Sequence, residues 1–467
     1  MSRSSNKTYR FSHLYRGDDW LSPGYVDVDA NGMIVGVTGV PTGELERRSE
    51  RFDGFAVPGM PNVHSHAYLR ALAGFAEPIG TRNRDFWAWR DRMYELALGL
   101  EPPDIEAITA QVFVEMTKAG FTSVGEFHYL HRAPDGRPYA DPAEVSRRVI
   151  AAADAAGIGL TLLPALYMHG GVDAPLGERQ RRFASGSVDE YLALLGSLGM
   201  KREPHELLRV GAAPHSVRAV TERELRDLID GLDRAAPAAP IHMHLAEQRG
   251  EVEESLDRRG ERPGEWLAHR FAFSSRWTLV HATHCDQNEL AEIARREATV
   301  GLCSVTEANL GDGLFALPAY EAERGRWGVG TDSNTAIGVA LELGVLEYGQ
   351  RSARQRRDVH SDDGRSAGSL LFASALRGGA ASLGQPVGSV EPGKRADLLV
   401  FDPNAPAFVG HDIDTFLDAW LVSGGAAAPS QVMVGGRWVV RDRRHLREDE
   451  VARRFAVVMS RLHRRDA

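Results

Sequence analysis

Eight apolar segments of strand length alternate with amphipathic helical stretches through the middle of this chain, and no other feature of the sequence constrains the fold as strongly. The strand candidates run Val57 to Val63, Thr122 to Tyr129, Ile158 to Ala165, Leu207 to Pro214, Pro240 to Leu245, Trp277 to Thr283, Thr299 to Ser304 and Trp327 to Thr331. Between the first two, Ile105, Ile108, Val112 and Met116 recur at helical spacing from Asp104, and Gly120 is placed to stop the helix. Pro142 to Ala156 reads as the next helix. Strands joined through helices lie parallel, because a parallel neighbour is reached only by a crossover. Eight such units in a row predict an α/β fold of the TIM type, a closed (β/α)8 barrel, over an open doubly wound sheet. No Gly-x-Gly-x-x-Gly follows the first strand, which excludes a dinucleotide-binding fold.

The ends of the chain are written differently. Thr8 to Leu14, Tyr25 to Asp29, a turn at Asn31-Gly32 and Met33 to Val37 have the pattern of strands and hairpins. Gly388 to Phe401 and Gln431 to Val440 repeat that pattern near the other end. Strands at both termini need partners, so the economical expectation is one small β-sandwich domain built from both ends. The expected division is residues 1–57 and 388–467 for that domain and 58–387 for the barrel.

A barrel places its chemistry at the C-terminal ends of its strands, so the polar residues there can be read as one set. Strand one ends in His64 and His66, strand two in His128-Tyr129, and strand four in His215 with Arg218 beyond it. Strand five ends in His244 and Glu247, strand six in His281, and strand eight in Asp332. In an extended chain side chains alternate, so His64 and His66 at i and i+2 share a face and can grip one ion. In a chain with 17 histidines one such pair arises by chance; convergence at equivalent strand ends does not, and it predicts a metal site. His131, His242 and His284 are expected to be bystanders.

Charge and cysteine usage narrow the class. Lysine plus arginine number 55 against 64 acidic residues, a net charge of −9 without long runs of one sign, which argues against nucleic-acid and membrane-surface partners. Clusters such as Arg354-Gln355-Arg356-Arg357 read as solvated helix faces. Cys285 and Cys303 lie in or beside apolar strand-like segments and are expected as buried reduced thiols. Met1 to Gly17 lacks an apolar stretch of signal-peptide length, and no run is long enough to span a bilayer, so a cytoplasmic protein is expected.

His64-Ser65-His66, His244, His281 and Asp332 within Gly330-Thr331-Asp332-Ser333-Asn334 together resemble the amidohydrolase superfamily, over nearly the whole chain, as does Pro392-Gly393-Lys394-Arg395-Ala396-Asp397-Leu398. Members with two metals bridge them by a carboxylated lysine or a glutamate at the end of strand four. Here that strand ends Ala212-Ala213-Pro214-His215, so one divalent transition metal per chain, zinc, is expected. Glu247, three residues after His244, is similar to the hydrolytic deaminases. Four strings narrow the resemblance to the formimidoylglutamate deiminases: His64-Ser65-His66-Ala67, Phe86-Trp87-Ala88-Trp89-Arg90, Glu126-Phe127-His128-Tyr129, and Thr306-Glu307-Ala308-Asn309-Leu310-Gly311-Asp312-Gly313.

By matching position, the resemblance implies metal ligands at His64, His66, His244 and Asp332, acid and base groups at Glu247 and His281, and substrate contacts at Arg90, Tyr129, His215 and Arg218. It implies hydrolysis of N-formimino-L-glutamate to N-formyl-L-glutamate and ammonia, in histidine degradation, by a homodimer. The chemistry is consistent with that residue set. A formimino carbon is a weak electrophile, so the site must supply hydroxide at neutral pH, which a zinc-type ion does by lowering the pKa of its water to about 7. Asp332 can ligate and also accept a hydrogen bond from that water, His281 can take its proton, and Glu247 can serve the departing nitrogen. A diacid needs cationic clamps, and the guanidinium groups of Arg90 and Arg218 match carboxylates. One position departs from the family: Leu69 stands where a substrate-binding glutamine is usual, which bears on substrate identity and leaves the metal chemistry untouched. The alternatives are a sister deaminase acting on another amidine, guanidino or aminoheterocycle substrate, and, lowest, a non-catalytic binding protein on the same fold.

Overall fold

The computed structural model describes residues 6–77, 86–200, 207–357, 359–360, 364–423 and 427–463, with only the backbone of Trp87. The outermost residues of the expected terminal unit, 1–5 and 464–467, lie outside that set. Among the described residues eight parallel strands run in chain order around the molecule: β1 Met60–Ser65, β2 Phe121–His128, β3 Gly159–Leu166, β4 Leu208–Val210 resuming at Ala213–Pro214, β5 Ile241–Leu245, β6 Trp277–His281, β7 Thr299–Leu302 and β8 Arg326–Val329. Each pairs with the next, β1 through β4 in one arc and β5 through β8 in another. Two seams join the arcs. Between β4 and β5, Ala212 N–H donates to Pro240 O and His242 N–H to Ala212 O, both at 2.9 Å. Between β8 and β1, His66 N–H donates to Asp332 O at 2.8 Å and Thr331 N–H to His64 O at 3.0 Å. The barrel therefore closes through residues expected to hold a metal. Gly330 is required there, since a Cβ on it would lie 2.8 Å from the His64 carbonyl oxygen.

Helices follow the strands, among them Pro102–Lys118 after β1, Glu144–Ala156 after β2, Glu222–Ala235 after β4 and Gln287–Arg295 after β6. Thr221 and Asp286 cap the last two by accepting hydrogen bonds from third-residue backbone N–H groups, with glutamates returning the bond. Strands such as β2 and β3 are buried along their whole length, as expected for a parallel sheet covered on both faces. The expected first strand began at Val57, whereas Val57 pairs with Leu399 in the terminal sheet and β1 starts at Met60. One apolar run serves two sheets in succession, and hydrophobicity does not mark the handover.

Among the described residues the terminal sheet has nine strands drawn from both ends. Ser49–Pro58 sits at its centre, parallel to Lys7–Tyr15 and antiparallel to Leu398–Phe401. Tyr9 and Trp438 stand four strands apart, about 19 Å in a flat sheet, yet their ring centroids are 5.7 Å apart, so the sheet folds over its own apolar interior like a sandwich. In the Asn31-Gly32 hairpin, Asp29 Oδ1 accepts the N–H groups of Asn31 and Met33 at 2.9 and 2.8 Å. Gly32 has φ +80°, and a Cβ there would collide with the carbonyl of Gly435 from the other end of the chain. Buried Arg395 grips Asp397 with Nε and Nη2 and reaches Gln385 with Nη1, and Gln385 donates to Thr161 on β3, fastening the sheet to the barrel.

The segment after residue 388 is not β throughout. Glu448–Leu462 is a helix laid on Pro102–Lys118, with Lys118–Glu448 and Arg454–Glu106 ion pairs at 2.6 Å. Val451 and Val458, two turns apart, face inward. Among the described residues no helix is long and apolar enough to cross a membrane. Cys285 and Cys303 are both buried and unpaired.

Candidate active site

Barrel closure brings His64, His66, His244 and Asp332 to one point. The Nε2 atoms of the three imidazoles lie 3.1, 3.1 and 3.4 Å from one another, and Asp332 Oδ1 lies 3.5 and 3.4 Å from those of His64 and His66. Ligands about 2.05 Å from a tetrahedral ion are about 3.3 Å apart, so the spacing is that of donors around one cation. Second partners set the tautomers: His66 Nδ1 donates to Phe127 O at 2.7 Å and His244 Nδ1 to His215 O at 3.0 Å. The Nε2 atoms of His66 and His244 then turn lone pairs, not N–H groups, toward the common point. Burial depresses the pKa of all three histidines, with neighbouring imidazoles adding to it at His64 and His244. They are held neutral, the form that binds metal. The donor set of three imidazoles and one carboxylate suits a divalent transition ion.

The backbone at this point is held out of its relaxed conformations. His281 has φ +69° and Asp332 +44°, with Ala246 and Asn334 also left-handed. Such residues persist only where surrounding contacts over-determine them, and they gather at functional sites. Here the contacts are specific: Asn334 Nδ2 donates to Ser65 Oγ and Asp332 O, while Asn62 Oδ1 accepts from the backbones of His64 and Thr331.

His281 lies beside the cage, with Nε2 3.8 Å from Glu247 Oε1 and 3.9 Å from Asp332 Oδ2. Its Nδ1 is 3.1 Å from Glu307 Oε1, which also accepts the Cys303 N–H. Burial disfavours the charged imidazole, but Glu247, Glu307 and Asp332 outweigh it and push His281 up to about 10. Glu247 is pushed up to about 7, by burial first, against the pull of His281. Two groups with displaced proton affinities thus lie side by side at the edge of the cage.

A cavity opens above it. Arg90, Tyr129, His215, Arg218 and Leu69 all line it, together with His66, His244, Glu247, His281 and Asp332. Tyr129 stacks on His66 with ring centroids 4.3 Å apart, and its Oη is 2.9 Å from His66 Nε2. Leu69 sits in the turn Ala67–Leu72 directly after the histidine pair and is buried. His128 does not join the site; its ring packs against His131, away from the cavity lining. His131, His242 and His284 each bond a backbone carbonyl, of Ala165, Ser382 and Asp312 respectively. Sequence reasoning gave no role to Glu307, although it stands in the string Thr306 to Gly313, or to Glu126, whose Oε1 accepts the Ala67 N–H at 2.7 Å beside the histidine pair. It also missed Tyr94, Tyr167 and Phe183 in the cavity wall, because aromatic residues on helices and loops look like core.

The sequence profile of the Amidohydrolase family matches residues 55–439. The formimidoylglutamate deiminase of Pseudomonas aeruginosa is 46% identical over 449 residues, covering 95% of this chain and 97% of that one. A crystal structure of an amidohydrolase from Brucella melitensis superposes with a TM-score of 0.91 at 39% identity, covering 98% of this chain and 99% of that one. The zinc complex of an atrazine chlorohydrolase from Arthrobacter aurescens shares the fold with a TM-score of 0.82 at 20% identity, covering 97% of this chain and 99% of that one.

Proposed function

The chain belongs to the amidohydrolase family, and from that premise we propose that it hydrolyses N-formimino-L-glutamate to N-formyl-L-glutamate and ammonia, a step of histidine degradation. The observation that carries this reading is the convergence, in one cavity, of a single-ion cage, the Glu247 and His281 pair, and the guanidinium-bearing Arg90 and Arg218. The 46% identity to a formimidoylglutamate deiminase supports the same substrate.

His64, His66, His244 and Asp332 would hold one zinc ion per chain, since strand four offers no bridging carboxylate or lysine at Ala213-Pro214-His215. Such an ion supplies a water of pKa about 7, and its charge opposes the protonated form of His281. The protein's own groups then manage protons. Glu307 fixes Nδ1 of His281, leaving Nε2 turned toward Glu247 and Asp332 to take the first proton of the attacking water. Glu247, whose proton affinity burial raises, passes a proton to the imino nitrogen, which becomes an amino group on the tetrahedral carbon. The remaining hydroxyl proton leaves with that nitrogen as ammonia while the C–N bond breaks and the formyl C=O forms, and the proton taken by His281 returns to Glu247, 3.8 Å away. Arg90, Arg218, Tyr129 and His215 hold the diacid over the cage, with Leu69 against its apolar part.

The proposal extends to organisation. The catalytic unit is residues 58–387 and the β unit 1–57 with 388–467, a division supported by the change of sheet at Gly59. The enzyme is a cytoplasmic homodimer; the free buried thiols support the compartment, and the apolar stripe of Leu341, Val345 and Tyr348 on the helix Val339–Arg354 supports self-association. The decisive experiment is ammonia release from formiminoglutamate by purified protein with its metal content measured. Absence of turnover on this substrate, beside clear turnover of a guanidino compound or an aminopurine, would overturn the assignment and leave fold and cage standing.

A further inference from the structure

The outer wall of the cavity holds a polar arrangement that the reaction as described does not use. Tyr94, on the helix Phe86–Gly99, and Tyr167, just beyond β3, both line the cavity. Behind them lies buried Gln180, in the short turn Glu178–Gln180. The orientation of its amide is fixed by the backbone: the Gly177 N–H, which can only donate, lies 2.8 Å from Oε1. The other terminal atom is therefore the nitrogen, and it donates to Tyr94 Oη at 3.2 Å and to Tyr167 Oη at 3.0 Å. Each phenol thus already accepts a hydrogen bond, and its own proton must point elsewhere. Among the described residues neither hydroxyl has an acceptor. Burial raises the Tyr167 pKa, so that hydroxyl keeps its proton at neutral pH. Arg218 shares the cavity wall, and its buried Nε has no partner among the described residues.

We propose that Gln180 sets the polarity of Tyr94 and Tyr167 so that both hydroxyls donate into the cavity, forming with Arg218 the subsite for the substrate carboxylate remote from the formimino carbon. This rests on the function proposed above. The placement follows from the rings: Tyr167 packs on His215 with centroids 4.5 Å apart, and His215 on the cage residue His244 at 4.9 Å. The His215 ring therefore separates Tyr167 from the cage and leaves the tyrosine where the far end of a five-carbon diacid held over the cage would lie. Tyr94 and Tyr167 are binding groups; Gln180 is a positioning residue.

Three variants test the polarity. Tyr94→Phe and Tyr167→Phe remove one donor each. Gln180→Glu keeps an oxygen for the Gly177 N–H but replaces the amide nitrogen by a second oxygen, which can only accept and draws the phenolic protons away from the cavity. The readouts are kcat and KM for formiminoglutamate, Kd of N-formyl-L-glutamate by calorimetry, and the same constants for the norvaline analogues, in which a methyl replaces the remote carboxylate. The expected result is a rise of about 10-fold in KM and Kd for each tyrosine variant and about 100-fold for Gln180→Glu, with kcat changed less than about 3-fold. The norvaline analogues should bind wild type and variants alike. Unchanged KM and Kd in the tyrosine variants, or equal losses on the norvaline analogues, would overturn the subsite even if Gln180→Glu failed to fold. Absence of wild-type turnover on formiminoglutamate would instead overturn the activity, so the two failures are distinguishable.

Discussion

Leu69→Gln should move stability and activity in opposite directions, and the structure sets the size of both. Leu69 is 3% exposed, packed in the turn after His66 and facing the same cavity as Arg90 and Tyr129. In the free protein the substitution removes buried apolar surface worth roughly 1.5–3 kcal/mol. A new amide without a partner costs about 1–3 kcal/mol more, reduced where cavity water reaches it. For a chain of this length that corresponds to a fall of a few degrees in Tm. With a diacid bound, the amide can donate to a carboxylate, and a hydrogen bond to a charged group contributes about 1.5–3 kcal/mol, or roughly 10- to 100-fold in kcat/KM. The assay is kcat/KM on formiminoglutamate, formiminoaspartate and guanidino analogues for both proteins, beside their thermal unfolding. A less stable variant that is faster on formiminoglutamate is the expected outcome. A variant that loses activity on a monocarboxylate substrate of the wild type while gaining nothing on formiminoglutamate would show that Leu69 serves a different substrate, and the reasoning would fail.

Elemental analysis should find about one transition-metal ion per chain, and two tightly bound ions would refute the single-ion cage. His281→Asn should retain that ion and the fold while losing about 10²- to 10⁴-fold in turnover. His281 also lies within ligand reach of His64 and His244, so loss of the metal in this variant would make it a ligand instead. Arg218→Met should raise KM strongly and lower kcat less, as an unpaired substrate carboxylate loses affinity and alignment; unchanged kinetics with a diacid would make Arg218 structural. Away from the site, buried His360 is held between Glu347 and Glu321, and despite burial these carboxylates push it up to about 9. Because its folded-state pKa is raised, the stabilisation is full below about pH 6.5, falls as pH rises through about 9, and is on the order of 3 kcal/mol. The stability gap between wild type and His360→Gln should close across that window, and a gap independent of pH would refute the pairing.

What could be read in the chain followed from periodicity and spacing. Two-residue alternation and helical repeats are local consequences of side-chain geometry, so eight strand–helix units were legible, and with them the strand ends where His64, His66, His244, His281 and Asp332 would meet. The start of β1 was not legible, because the run through Val57 and Val63 is apolar whichever sheet receives it. The helix Glu448–Leu462 carries its own repeat at Val451 and Val458, but in a terminus rich in strands two valines make a weak signal.

The sequence by itself determined the fold class, which histidines and carboxylates stand at the strand ends, and that strand four ends without a lysine or carboxylate, since each depends on which residues occur at which spacing. Tertiary structure alone decided the rest. Only closure of β8 onto β1 brings Asp332 within 3.5 Å of histidines more than 260 positions earlier in the chain. Only the folded cavity raises the pKa of Glu247, because desolvation depends on everything packed around a group and not on its neighbours in sequence. The direction of a phenolic proton on Tyr94 or Tyr167 is more remote still, since it depends on an amide whose orientation is fixed by a backbone N–H in another loop.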